Sequence, residues 1–144
     1  MSATVKNILD TKGRDVVTVA PEQSLHEVAA VLNEKRIGGV VVAGASGRIA
    51  GIFTERDLVR AVAESGAAAL DQPVSSRMTV NVQKCRDDTT VNQLMEMMSS
   101  GRFRHVPVEE GRRLVGIISI GDVVKSRIRE IELEAEQIKA YIAG

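Results

Sequence analysis

Two short motifs in the sequence pair a hydroxyl group with a carboxylate three residues further on. Thr54 precedes Asp57 in the first motif, and Ser119 precedes Asp122 in the second. A hydroxyl can donate a hydrogen bond to a phosphate oxygen, and a carboxylate can accept hydrogen bonds from a sugar diol. The same spacing defines a capping box, in which both side chains satisfy free groups at a helix N-terminus. The motifs therefore predict either a site for a sugar phosphate or two helix caps.

The elements that would position these motifs occur twice along the chain. When Ser24 is aligned with Thr90, residues 25–36 match residues 91–102. In both copies a short β-rich run is followed by a cap residue, a helix, two strands and a second helix. Such repetition indicates two units that bury a common core. The predicted strands are 16–19, 39–43 and 49–53 in the first copy and 82–85, 105–109 and 114–119 in the second.

The helices complete a βαββα order in each copy. Besides 25–36 and 91–102, we predict helices at about 55–66 and 121–142, and short helical segments at 5–9 and 74–78 ahead of the two copies. A three-stranded sheet cannot bury both of its faces alone. The expected fold is therefore α/β (α+β), with two pseudo-symmetric repeats packed sheet to sheet into one compact module. The expected domains are 1–70 and 71–144.

Composition argues against several classes of function. The 144 residues include 19 Lys and Arg and 19 Asp and Glu, so no net charge attracts the chain to nucleic acid or to an anionic membrane. Aromatic residues make up only 2%, which disfavours stacking on single-stranded bases. No combination of nucleophile, base and oxyanion donor is recognisable, and we therefore expect no enzymatic activity.

Cysteine and histidine usage disfavours disulfides and metal sites. Cys85 is the single cysteine, and the two histidines, His26 and His105, are far apart in sequence. No apolar run approaches the roughly 20 residues of a membrane span, and the N-terminus lacks the apolar stretch of a secretory signal. We therefore expect no metal, no membrane partner and a cytoplasmic location.

The repeated motifs resemble those of the cystathionine β-synthase (CBS) domain family. The resemblance is carried by Gly-Ile-Phe-Thr-Glu-Arg-Asp-Leu at 51–58, Arg-His-Val-Pro-Val at 104–108 and Gly-Ile-Ile-Ser-Ile-Gly-Asp-Val at 116–123, and it covers nearly the whole chain. It implies a stand-alone tandem pair of CBS domains, a Bateman-type module. Such modules are regulatory: they bind adenine nucleotides in two clefts, each formed by both copies.

When the family's site residues are carried over to this sequence, the resemblance implies that the second cleft has more of the side chains that would bind a nucleotide. Ser119 and Asp122 would bind phosphate and ribose, and Arg104 and His105 would face the phosphate. Gly38 and Gly39 also fit a loose helix C-cap, and His105 also fits a structural role. The residues expected to line this cleft are Val17, Thr18, Ile37, Gly38, Gly39, Arg104, His105, Ile117, Ser119 and Asp122.

The first cleft departs from the second at the basic positions. Gly38 and Gly39 occupy the places that Arg104 and His105 occupy in the other copy, so two basic side chains are missing. Arg56 either compensates for them or is an ordinary surface residue. The residues expected here are Thr54, Arg56, Asp57, Lys84 and Phe103, and the occupancy of this cleft stays open.

The C-terminal helix is longer than the cover of one domain requires. Val123, Val124, Ile128, Ile131, Ile138 and Ile142 form an apolar stripe along it, which predicts docking on a second chain or on the N-terminal segment. We expect a homodimer that senses AMP, ADP, ATP or a dinucleotide such as NAD and signals energy or redox state to an effector protein. The alternative is a dimeric interaction scaffold whose clefts are degenerate and empty.

Overall fold

The computed structural model describes residues 3–143. Its elements follow the predicted order: the helical segments predicted at 5–9 and 74–78 are present, the first extending to Lys12 and the second as a 3₁₀ helix, and one further 3₁₀ helix lies between the repeats. They are α1 (Val5–Lys12), β1 (Thr18–Val19), α2 (Leu25–Lys35), β2 (Gly39–Ala43), β3 (Ile49–Thr54), α3 (Glu55–Ser65), 3₁₀ helices at Gly66–Asp71 and Val74–Ser76, α4 (Val91–Gly101), β4 (His105–Glu110), β5 (Arg113–Ser119) and α5 (Ile120–Ala143). The predicted α/β class is confirmed.

Matching side chains start the first helix of each repeat. The Ser24 hydroxyl accepts a hydrogen bond from the Glu27 amide (3.1 Å), and the Thr90 hydroxyl accepts one from the Gln93 amide (3.1 Å). In both cases the side chain at the third helical position returns a bond to the cap backbone, which completes a capping box. The predicted cap residues are confirmed.

The first repeat contains a three-stranded sheet. Strand β1 runs parallel to β2, and β2 is antiparallel to β3, with Val41 opposite Ile52. Phe53 and Val40 are fully buried and pack with Leu25 and Val28 of α2, so the sheet and its helix share one apolar core. This core fixes the end of β3, where Thr54 leads into α3.

The first strand of the second repeat is shorter than predicted. Strands β4 and β5 form a two-stranded sheet, and of residues 82–85 only Cys85 is bridged to β4, in parallel at Val108. A hydrogen bond from the Val82 amide to the Val80 carbonyl (2.9 Å) turns the chain at this point. A chain that turns cannot continue a ladder, so the prediction of a strand over 82–85 was wrong in its extent.

The chain forms two compact units that do not coincide with the repeats. One unit comprises the described residues of 1–14, 84–110 and 116–144, and the other comprises 15–83 and 111–115. Helix α1 therefore belongs to the unit that contains α4 and α5. The Val5 amide donates to the Thr89 carbonyl (2.8 Å), which fixes α1 beside the start of the second repeat.

A glycine in the last strand of each repeat permits close approach by a segment from outside that repeat. A Cβ atom on Gly116 would lie 2.8 Å from the Leu9 side chain of α1, and a Cβ atom on Gly51 would lie 2.6 Å from the Thr79 carbonyl and 2.9 Å from the Met78 sulfur. Both contacts are too short for a side chain. These glycines thus bring a segment from outside the repeat against the strand that ends in each hydroxyl-carboxylate motif.

Candidate functional site

Each hydroxyl-carboxylate motif forms a corner where a strand turns into a helix. At the end of β5, the Ser119 amide donates to the Asp122 Oδ2 atom (2.8 Å), and the Asp122 amide donates to the Ser119 hydroxyl (3.2 Å). At the end of β3, the Thr54 amide donates to Asp57 Oδ2 (3.0 Å), and the Asp57 amide donates to the Thr54 hydroxyl (3.3 Å). Both motifs therefore cap helices, which was one of the two alternatives predicted from their spacing.

Capping leaves part of each carboxylate for other contacts. In both corners the hydrogen bonds of the cap use the Oδ2 atom, and a carboxylate has two oxygens with about four acceptor positions. Helix capping and recognition of a ligand hydroxyl are therefore compatible functions of the same side chain. The structure supports the cap directly, and the ligand role stays a prediction.

Backbone hydrogen bonds occupy part of each helix N-terminus. The Glu55 amide donates to the Gly38 carbonyl (3.0 Å), and the Ile120 amide donates to the Arg104 carbonyl (2.8 Å). The amides at the third helical position bind the cap hydroxyls. Less of the helix N-terminus is thus open to a phosphate than the motif suggested, and the hydroxyl groups and basic side chains must contribute more.

Lys12 completes the second corner. Its Nζ atom lies 2.7 Å from Asp122 Oδ2 and 2.8 Å from the Ile117 carbonyl oxygen, at the end of a helix 110 residues earlier in the chain. About 32% of the Lys12 side chain and 17% of the Asp122 side chain are exposed, so water screens this pair less than it screens a surface ion pair. The Lys12 ammonium thus binds the Asp122 carboxylate, which we expected to bind ribose.

The surroundings of Asp122 favour its ionised form. Burial raises the pKa of the Asp122 carboxyl, whereas the Lys12 ammonium and the hydrogen bonds from Ser119 lower it. The lowering effects together are larger, so the pKa of Asp122 lies below its ordinary value. Asp122 is therefore a carboxylate at neutral pH, which is the form that accepts hydrogen bonds.

The first corner is completed by a residue of its own helix. Arg60, one turn further along α3, places its Nη1 atom 3.6 Å from Asp57 Oδ1. Asp57 is buried, with 8% of the residue exposed, and no lysine takes part in this corner among the described contacts. The Ile52 carbonyl, which corresponds to that of Ile117, instead accepts a hydrogen bond from the Thr79 amide (2.8 Å). The two corners thus share a cap and differ in their cations.

Several of the expected site residues belong to the unit that comprises 15–83 and 111–115. Two of them contact the Thr54 corner. Gly39 is the strand partner of Thr54, and the Gly38 carbonyl binds the first amide of α3. Helix α2 ends at Arg36 in the left-handed conformation (φ 54°), so Gly38 and Gly39 do not cap it. The remaining residues are half-buried against the core (Val17 and Ile37) or exposed (Thr18 and Arg56).

The expected residues of the unit that contains α4 and α5 have mixed environments. The Arg104 side chain is exposed, and His105 is half-buried at the start of β4. Lys84 forms an ion pair with Glu109 (3.4 Å), and Phe103 packs so tightly against Gly101 that a Cβ atom there would overlap its ring. Because the residues expected for each cleft come from both units, the clefts themselves stay predictions.

Two contributors to the corners were missed by the sequence analysis. The i,i+3 spacing of Asp57 and Arg60 is a recognisable signal for an ion pair on one helix face. Lys12 has no such signal, because its contact with Asp122 depends on how α1 docks. Within residues 3–143, no group of His, Cys, Asp or Glu could hold a metal ion, and no helix is long and apolar enough to cross a membrane.

Known proteins similar to this chain share its repeats. The model of the CBS domain family matches twice, at residues 5–64 and 74–129. A CBS-domain containing protein of Agrobacterium tumefaciens is 61% identical, with 88% of this chain and 95% of that chain covered and a TM-score of 0.85.

Two more distant structures contain ligands. A CBS domain protein of Pyrobaculum aerophilum, solved in complex with AMP, is 28% identical over 92% of this chain and 98% of its own, with a TM-score of 0.78. A CBS domain pair solved with 5′-methylthioadenosine and S-adenosyl-L-methionine is 27% identical over 87% of this chain and 95% of its own, also with a TM-score of 0.78.

Proposed function

Because the chain belongs to the CBS domain family, we propose that it is a regulatory module that binds an adenine nucleotide and transmits the bound state to an effector protein. Candidate ligands are AMP, ADP, ATP and NAD. The observation that supports this function most directly is the corner of Ser119 and Asp122, where a hydroxyl and an ionised carboxylate stand at one helix start. Such a pair suits a nucleoside phosphate.

The ligands of similar proteins support an adenosine moiety as the common feature. AMP, 5′-methylthioadenosine and S-adenosyl-L-methionine, which occur in the two complexes, share adenine and ribose and differ beyond the 5′ carbon. A site that recognises the shared part needs an acceptor for the ribose diol. Asp122 is the residue that we propose for this role, and Asp57 is the corresponding residue in the first cleft.

Titration calorimetry with AMP, ATP, NAD and S-adenosyl-L-methionine tests this function. We expect Asp122→Asn to weaken binding at least about 10-fold, because a hydrogen bond to a charged acceptor is lost while the amide oxygen still accepts the cap bond. The same change at Asp57 should have the smaller effect. Asp88→Asn, at an exposed position, is the matched control. Wild-type protein that binds none of these compounds at millimolar concentration would refute the proposal.

We propose that the module does not transform its ligand. Signalling would instead rest on a shift between conformations that differ in affinity, which needs no chemical step. Recovery of unchanged nucleotide after the titrations, measured by chromatography, supports this view, and turnover contradicts it. We further propose the cytoplasm as its compartment, which suits a single buried cysteine that forms no disulfide.

The second candidate is a dimeric scaffold with empty clefts, and one observation supports the dimer that it requires. Helix α5 exposes an apolar stripe at Val124, Ile128, Ile131 and Ile138, each about half or more exposed. We propose that a second copy of the chain covers this stripe. A homodimer is compatible with nucleotide binding, so only the binding experiment distinguishes a sensor from a scaffold.

A further inference from the structure

The contact between Lys12 and Asp122 presents a problem for any ligand with a ribose diol. The Lys12 ammonium donates at 2.7 Å to the same Asp122 oxygen that accepts the Ser119 amide. A vicinal diol that binds both oxygens of this carboxylate must share Oδ2 with the ammonium or displace the ammonium. If a neutral diol displaces the ammonium, Lys12, whose side chain is 32% exposed, loses its counter-ion, and this loss is unfavourable.

The first repeat shows that a corner can form without such a lysine. There the Thr79 amide binds the Ile52 carbonyl, and Arg60 approaches the Asp57 carboxylate from the same helix. In the second repeat a single side chain, Lys12, binds both the corresponding carbonyl and the carboxylate. The fold therefore does not require an ammonium at this place, and its presence distinguishes one corner from the other.

A phosphate group on the ligand would give Lys12 a replacement for the Asp122 carboxylate as its counter-ion. The Ser119 hydroxyl, the proposed phosphate donor, belongs to the same corner as Asp122, and lysine has a flexible four-carbon stem. A phosphate bound near Ser119 would offer the ammonium a new anion when the diol takes its place on the carboxylate. Exchange of one anion for another keeps the charge compensated.

We propose that Lys12 is a specificity-determining residue of this site, which binds Asp122 in the free chain and selects phosphate-bearing adenosine ligands over neutral ones. This inference rests on the proposed function, since it assigns the selectivity of the same site. It places the choice between adenosine and its phosphates in helix α1, which lies outside both βαββα repeats.

The test compares adenosine with AMP by calorimetry on the full chain. In wild type we expect AMP to bind more tightly than adenosine. Lys12→Met, which keeps most of the side-chain length without the charge, should tighten adenosine binding and weaken AMP binding, so that the ratio of their affinities falls at least about 10-fold. Lys12→Arg should retain most of the preference. Lys6→Met, which removes an exposed ion pair with Asp10 on the same helix, should change nothing.

A second measurement keeps the inference testable if Lys12→Met alters stability. NMR titration of the Asp122 carboxyl should show a higher pKa in Lys12→Met than in wild type, and addition of AMP to wild type should change the Lys12 ammonium signals. An unchanged ratio of affinities in Lys12→Met, or an unchanged Asp122 pKa, would overturn the inference while leaving the proposed function intact. Wild type that binds neither compound would overturn both.

Discussion

Cys85 illustrates how packing decides the chemistry of a side chain. The residue is 4% exposed, and its amide and carbonyl pair with Pro107 and Glu109 of β4. Burial, with a smaller effect of Asp87, raises the pKa of the Cys85 thiol to about 12. Since the thiolate is the reactive form, this cysteine is a small apolar packing residue and not a redox sensor.

Alkylation of Cys85 by iodoacetamide at pH 8 should therefore be very slow in the native protein. A shift of the thiol pKa from 9.0 to about 12 lowers the thiolate fraction by about 10³-fold, and burial restricts access further. The measurement is the labelling rate by mass spectrometry, with denatured protein as the reference. Labelling of native protein at a rate within 10-fold of the denatured rate would contradict this account.

At the scale of elements, the first helices of the two repeats end in the same strained way. Arg36 after α2 and Arg102 after α4 adopt the left-handed conformation, with φ near 54° and 55°. Gly38 and Gly39 were one alternative for the cap of α2, because glycine is the usual residue for that conformation. The helix instead ends two residues earlier, at an exposed arginine, and the glycines serve the start of β2.

Arg36→Gly should stabilise the protein. Glycine has no Cβ penalty in the left-handed region, and the expected gain is about 0.5–1 kcal/mol in the free energy of unfolding after the cost in chain entropy. Lys35→Gly, one residue earlier and within α2, should instead destabilise by about 1 kcal/mol. Urea unfolding of both variants is the measurement, and equal signs for the two changes would refute the argument.

At the scale of the whole molecule, α5 is the feature that points beyond a single chain. Its apolar residues are spaced alternately by four and three positions, as in a coiled-coil seam. Basic residues predominate beside the N-terminal half of this seam, whereas acidic residues together with Lys139 lie beside its C-terminal half, so the charges favour neither orientation of a second α5 helix. The seam residues are Val124, Ile128, Ile131, Ala135, Ile138 and Ile142, the basic ones Lys125, Arg127 and Arg129, and the acidic ones Glu130, Glu132, Glu134 and Glu136.

Ile131→Glu should convert the proposed dimer into a monomer, measured as molar mass by light scattering, because it places a charge in the apolar seam. Leu133→Glu is the matched control, since Leu133 is about equally exposed (50% against 53%) but lies outside the seam. A monomeric wild type, or dissociation by both changes, would contradict docking through this stripe.

Orientation of that pair needs a separate readout. Val124→Cys and Ile142→Cys, each in a Cys85→Ser background, lie at opposite ends of the seam. A mixture of the two should form mixed disulfides if the helices are antiparallel, and each variant should cross-link to itself if they are parallel.

Local sequence determined the repeats, their helix starts and both hydroxyl-carboxylate corners, because each of these features depends on residues within a few positions of one another. The α/β fold class and the CBS family were confirmed, and the βαββα order was found except that the first strand of the second repeat is reduced to the bridge at Cys85. The cation at each corner has a different origin. Arg60 is one helical turn from Asp57 and is accessible to sequence reasoning, whereas Lys12 meets Asp122 through the docking of α1, in which Leu9 lies against Gly116 of β5 and the Val5 amide binds the Thr89 carbonyl. Contacts between distant segments depend on packing, which no local pattern encodes, and here packing alone decided which carboxylate carries a lysine.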